Sequence, residues 1–144
     1  MAESPVKSSY GNRTLSYCAE CAKAYLAWRP ERTSRHLPGF SAWLGSGASI
    51  LELGCGAGQD AAAKVSRGFV VDPTDGVPEI AVIAARNLGC PVRVLRFEEI
   101  DSVADYDAVW AYAALDHLPR AALPGTLTHS AGALKPGGFH FANF

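Results

Sequence analysis

The sequence predicts a three-layer α/β fold, a doubly wound and mainly parallel sheet with helices on both faces. Two observations carry this. From Ser49 onward, short apolar runs alternate with helical stretches of roughly ten residues, the pattern of right-handed βαβ units. The first apolar run, Ile50-Leu51-Glu52-Leu53, enters the turn Gly54-Cys55-Gly56-Ala57-Gly58 and then the Ala-rich stretch from Gln59. Strand, tight glycine turn and helix in that order place a nucleoside-type ligand at the carboxyl end of the first strand. Glycine there lets the backbone turn sharply and lets a ligand approach the main chain.

Residues 1–13 read as a flexible lead, and 14–144 as one domain made of a helical cap, 14–47, and an α/β core, 48–144. A helix over Thr14 to Trp28 stops before Pro30, which cannot continue it. A second helix covers Thr33 to Leu44, bent or interrupted at Pro38, and Gly45-Ser46-Gly47 ends it. Strands follow over Ser49–Leu53, Gly68–Asp72, Pro91–Leu95, Tyr106–Ala111 and Phe139–Phe144. Between them lie helices over Gln59–Ser66, over Pro78–Leu88 and over Arg120–Leu134. The second of these has proline in its first turn and Gly89 as its stop. The last is ended by Lys135-Pro136-Gly137-Gly138.

Composition narrows the classes. Of 144 residues, 49% are apolar and 19% charged, as in globular proteins. Thirteen basic against fourteen acidic groups leave a net charge of −1 and no basic patch, which argues against nucleic acid as a partner. No apolar run nears the ~20 residues a membrane span needs. The polar start Met1-Ala2-Glu3-Ser4 lacks the core of a secretory signal, so the expected location is cytoplasmic. Cysteines stand at 18, 21, 55 and 90, and histidines at 36, 117, 129 and 140. Cys18 and Cys21 form a CxxC with no second pair and no spaced histidine pair, so no metal site is expected. Cys18, Cys21, Tyr25 and Trp28 recur at helical spacing and read as a packing face.

The glycine turn alone admits two ligands. Gly56-x-Gly58-x-x-Ala61 fits a dinucleotide fingerprint, which would make the protein an NAD(P)-dependent oxidoreductase. Glu52-x-Gly54-x-Gly56-x-Gly58 fits a turn whose ligand carries an amino acid, with the acid beside its ammonium. Asp75 lies 17 residues past Gly58, where a carboxylate accepts from both ribose hydroxyls, and suits either.

Further motifs tip the balance. They are Thr74-Asp75-Gly76-Val77-Pro78-Glu79, the strand Tyr106-Asp107-Ala108-Val109-Trp110-Ala111, and Leu134-Lys135-Pro136-Gly137-Gly138. In order and spacing, from about Thr14 to Phe144, the chain resembles the class I S-adenosylmethionine-dependent methyltransferases, including small bacterial members acting on small molecules. The resemblance implies a Rossmann-like fold, S-adenosyl-L-methionine as cofactor and a small-molecule methyl acceptor. It implies that Gly54, Cys55, Gly56 and Gly58 border the methionine part, with Glu52 helping its ammonium. Asp75 would bind the ribose, with Gly76 and Val77 beside the adenine. Arg96 stands where the family often has an acid, so Phe97 would pack on the adenine and Glu98 would take over its amino group. Tyr17 and Tyr25 would cap the methionine end or simply pack. Trp110 and Tyr112 would wall the acceptor pocket or belong to the core.

A sulfonium methyl is already activated, so the protein mainly has to hold the acceptor in line. Where a base is needed, His117 is the candidate, with Asp116 beside it. The family's sheet has seven strands, whereas this sequence stops with the fifth. Its apolar edge would then favour a homodimer, or the chain would be a fragment or an impaired relative that acts by binding the cofactor.

Overall fold

The computed structural model describes residues 28–143. The expected helix over Thr14–Trp28, with Tyr17, Tyr25, Cys18 and Cys21, lies outside the described residues except for Trp28. Ile50, Leu51 and Leu53 are all at most 1% exposed, and a run apolar toward both faces must be covered twice. Accordingly β1 (Ser49–Glu52) lies in the middle of a five-stranded sheet. Around it stand β2 (Val70–Asp75), β3 (Arg93–Val94), β4 (Tyr106–Ala111) and β5 (Leu134–Ala142), in the order β3-β2-β1-β4-β5. Every pairing is parallel.

The described helices are α1 (Leu37–Ala42), α2 (Gln59–Ser66), α3 (Pro78–Leu88) and α4 (Leu123–Ala133). None is long and apolar enough to cross a membrane. Two apolar clusters hold the layers together. Leu51, Leu53, Val109, Ala111, Leu115 and Ala133 form an aliphatic one. The other is aromatic: Leu37, Phe40, Ile50, Phe69 and Trp110, with Phe139 and Phe141 against it. There the Trp110 ring stacks on Phe141 at 4.4 Å and meets Phe40 edge-on at 4.7 Å, both favourable arrangements.

α2, α3 and β4 keep their expected bounds, and β1 ends one residue early. α3 closes as expected on Gly89, whose φ of 67° is left-handed. Elsewhere the bounds move for physical reasons. α1 is six residues rather than the span from Thr33 to Leu44, and Pro38 stands in its first turn, where a missing N–H costs nothing. β2 begins at Val70 rather than Gly68 and runs on through Pro73 to Asp75. The Val70 N–H faces β1, donating to Ala48, so alternation turns the Pro73 nitrogen toward β3. β3 pairs only from Thr74↔Arg93, leaving no partner for Pro73 to miss. β3 itself shrinks from Pro91–Leu95 to two exposed edge residues.

The expected helix from Arg120 divides into a 3-10 turn, Arg120–Ala122, and α4, whose first turn holds Pro124. β5 begins at Leu134, not Phe139. Tyr106 pairs Leu134 and Ala108 pairs Phe139, so the segment Lys135–Gly138 bulges out within the strand instead of preceding it. An added Cβ at Gly138 would lie 2.9 Å from the Asp107 and Lys135 carbonyls, which fixes glycine in the bulge.

Leu51→Ala is expected to cost about 2–5 kcal/mol in urea unfolding. Val103→Ala, at a position 74% exposed, should stay within about 0.5 kcal/mol of the parent.

Candidate functional site

At the end of β1 the chain changes partners. The Leu53 N–H donates to the Trp110 carbonyl of β4 at 2.8 Å, and two residues on the Cys55 N–H donates to Thr74 of β2 at 2.9 Å. The Thr74 hydroxyl reaches back to the Glu52 carbonyl at 2.7 Å. The turn therefore rises between β2 and β4, where the sheet order reverses and open α/β sheets hold their ligands. Gly54, Gly56 and Gly58 all have positive φ, at 64°, 58° and 98°. Gly54 is also pressed from behind, since a Cβ there would sit 2.9 Å from the Ala114 Cβ. Glycine at this position answers packing within the chain as well as ligand approach.

Asp75 is the last residue of β2, not part of a loop, and is buried. Its two carboxylate oxygens accept the Gly56 N–H at 3.1 Å and the Val77 N–H at 3.0 Å. The carboxylate thus ties the glycine turn to the start of α3, with Val77 buried at that helix's N-cap and Gly76 between them.

Glu52 is 2% exposed and pairs with a residue that sequence reasoning missed. Lys64 of α2, wholly buried, places its Nζ 2.7 Å from Glu52 Oε1 and 4.3 Å above the Trp110 ring. The second oxygen, Oε2, is buried with no partner. Burial raises the Glu52 pKa and lowers that of Lys64, while each pulls the other back toward its charged form. A signal was present: Lys64 follows the buried Ala61 by three residues, on the same side of α2.

Cys55 is half-buried, and burial together with the negative charges of Glu52 and Asp75 pushes its thiol far above the usual range. It lines the turn as a thiol, not as a nucleophile. Phe97 packs against the aliphatic cluster from a 3-10 turn, Phe97–Glu99. Glu98 forms an ion pair with Arg96 at 2.8 Å. Of the β4 aromatics, Trp110 is core at 1% exposure, and Tyr112 is half-buried with its ring 6.2 Å from that of His36. His117 ends the 3-10 turn Leu115–His117 after β4. Among the described residues no group of His, Cys, Asp and Glu side chains is arranged to hold a metal ion.

The comparisons agree with this geometry. A family model described as a methyltransferase domain matches residues 50–138, from β1 into the bulge of β5. Among solved structures, magnesium protoporphyrin IX methyltransferase of Synechocystis PCC 6803, with bound SAM, superposes with a TM-score of 0.72 at 14% identity. That match covers 91% of this chain and 74% of the other. A TehB-like SAM-dependent methyltransferase of Corynebacterium glutamicum gives 0.67 at 21% identity, over 94% and 73%. Phosphoethanolamine N-methyltransferase 2 of Haemonchus contortus, in complex with phosphomonomethylethanolamine and S-adenosylhomocysteine, gives 0.73 at 19%, over 92% and 34%. No curated protein matches the sequence.

The sheet order, the switch-point turn and these neighbours define the class I methyltransferase fold. The chain belongs to the methyltransferase domain family.

Gly54→Ala combines left-handed backbone strain with the Ala114 contact and should cost on the order of 3 kcal/mol. Adding Ala114→Gly should recover the packing part alone, leaving the backbone part visible in denaturant titrations.

Proposed function

We propose that this protein transfers a methyl group from S-adenosyl-L-methionine to a small-molecule acceptor by in-line displacement. The observation that carries the reading is the turn of three positive-φ glycines standing between two buried carboxylates, Glu52 and Asp75. A nucleoside with a cationic amino-acid tail fits that pair. The unpartnered Oε2 of Glu52 suits an ammonium, and the Asp75 oxygens, already oriented by backbone N–H groups, suit ribose hydroxyls. A dinucleotide fits less well. Its pyrophosphate would meet the first turn of α2, which carries the negative Asp60 close to Glu52.

The bound cofactor supplies a methyl group activated by its sulfonium. The chain's part is to hold the two reactants in line and keep water out. Gly54, Cys55, Gly56 and Gly58 border the amino-acid end, and Gly76, Val77 and Phe97 border the adenine. Glu98, paired with Arg96 at the rim, is the acceptor for the adenine amino group. Tyr17 and Tyr25 belong to the proposed cover over the methionine end. His117 takes the acceptor's proton where the acceptor carries one. A small-molecule acceptor is supported by the two structural neighbours whose names specify theirs, a magnesium porphyrin and a phosphoethanolamine derivative.

Calorimetry should show S-adenosylhomocysteine binding and no NAD binding, and the reverse result would replace the reading with a dinucleotide enzyme. Asp75→Ala should weaken S-adenosylhomocysteine on the order of tenfold or more, through lost charge-assisted hydrogen bonds. On an accepted substrate, His117→Ala should lower the methyl-transfer rate by about 10²–10⁴. An unchanged rate between pH 6 and 9 would remove His117 from the chemistry.

A further inference from the structure

The geometry points to Lys64 as a positioning residue for the methyl donor. It fixes the buried Glu52 carboxylate through Oε1 and leaves Oε2 as the acceptor for the donor's ammonium. This assignment rests on the function proposed above and adds a residue that the glycine turn and its acids do not contain.

The pair is built from three directions. Glu52 is held in register opposite Trp110 across β1 and β4. Trp110 is itself locked by Phe141 and Phe40, so its ring face is a fixed platform. Lys64 comes down from α2 onto that face, with its ammonium 4.3 Å from the ring centroid and 2.7 Å from Glu52 Oε1. The aromatic face and the carboxylate together replace the water that a buried ammonium loses. One lysine hydrogen bond cannot satisfy both carboxylate oxygens, and Oε2 is left buried without a donor. An unpaired carboxylate oxygen at the mouth of a glycine turn favours a cationic hydrogen-bond donor.

Lys64 also sets the charge on Glu52. The ionisable groups acting on Glu52 are Lys64 and Asp60 from α2 and Asp75 from β2. Cys55, beside it in the turn, is kept neutral by burial. Lys64 in turn feels Glu52, Asp60 and Cys55. Burial and the two aspartates raise the Glu52 pKa, and only Lys64 lowers it. Without Lys64 the one group that pulls the Glu52 pKa down is gone, so an incoming ammonium would meet more of the protonated form. Donor affinity would then rise with pH until the carboxyl ionised by itself. With Lys64 in place its ammonium opposes that rise, so the parent's dependence on pH is the shallower of the two.

The test compares S-adenosylhomocysteine with 5′-methylthioadenosine, which keeps the adenosine and sulfur but lacks the amino-acid end. In Lys64→Met at pH 7, S-adenosylhomocysteine should weaken on the order of tenfold while 5′-methylthioadenosine is unchanged. Between pH 6 and 8 the variant's affinity for S-adenosylhomocysteine should climb more steeply than the parent's, by at most about tenfold per unit. Glu52→Gln should weaken S-adenosylhomocysteine without any pH slope. Adding Lys64→Met to Glu52→Gln should change nothing further, because Lys64 acts through Glu52.

Equal loss of both ligands in Lys64→Met would make Lys64 a packing residue and overturn the assignment. So would unchanged or tighter S-adenosylhomocysteine binding. If Lys64→Met alone does not fold, the comparison of Glu52→Gln with the double variant decides, since that pair buries no lone carboxylate. A parent protein that binds neither ligand would overturn the functional reading itself, and this assignment with it.

Discussion

Two backbone hydrogen bonds, two residues apart, govern where everything else in this molecule can go. Leu53 donates to β4 and Cys55 donates to β2, so the chain leaves the sheet with one neighbour on each side. The residue between them, Gly54, has to turn in left-handed backbone with Ala114 against it. Only after that crossing can α2 fold back over the sheet and bring its buried side chains to β1. The strand order, the turn and the two carboxylates beside it all follow from this one change of partner.

The electrostatics of the site depend on the same crossing. It puts Glu52 below the turn and Asp75 beside it, two buried acids within one ligand's reach, and the chain treats them differently. Asp75 is satisfied by backbone N–H groups that cannot move away without unmaking the turn. Glu52 is satisfied on one side only, by a side chain from the covering helix. One acid is braced by the main chain and the other by a lysine set over a tryptophan ring. The difference tells at Glu52, whose pKa burial raises and Lys64 pulls back down.

Much of this was legible in the sequence. α2, α3 and β4 carry their boundaries in their residues: glycine before α2, Pro78 and Gly89 around α3, and the apolar run Ala108–Ala111 in β4. The failures share a cause, which is that a residue's local meaning depends on a neighbour far along the chain. Pro73 stands just past the expected end of β2 at Asp72, yet it continues the strand without cost because β3 starts pairing one residue later. Lys135 to Gly138 reads as a turn, yet β4 captures Leu134 on its far side and makes the segment a bulge. Lys64 drew no reading from the sequence, and the fold shows that its side of α2 faces Glu52 and Trp110. Glu52 and the glycines stand out because their spacing is local to the turn, and Asp75 because it closes the next strand at a set distance from them. The lysine was missed because its partner lies on another element.

A contact between Ser34 and Asp60 couples the site to the segment ahead of it. The Ser34 N–H donates to Asp60 Oδ1 at 2.7 Å, joining the approach to α1 with the first turn of α2. That one hydrogen bond ties the seating of the approach to α1 to the helix that leaves the glycine turn. A substitution at Asp60 would therefore be felt twice, in how the approach to α1 is seated and in the charge around Glu52.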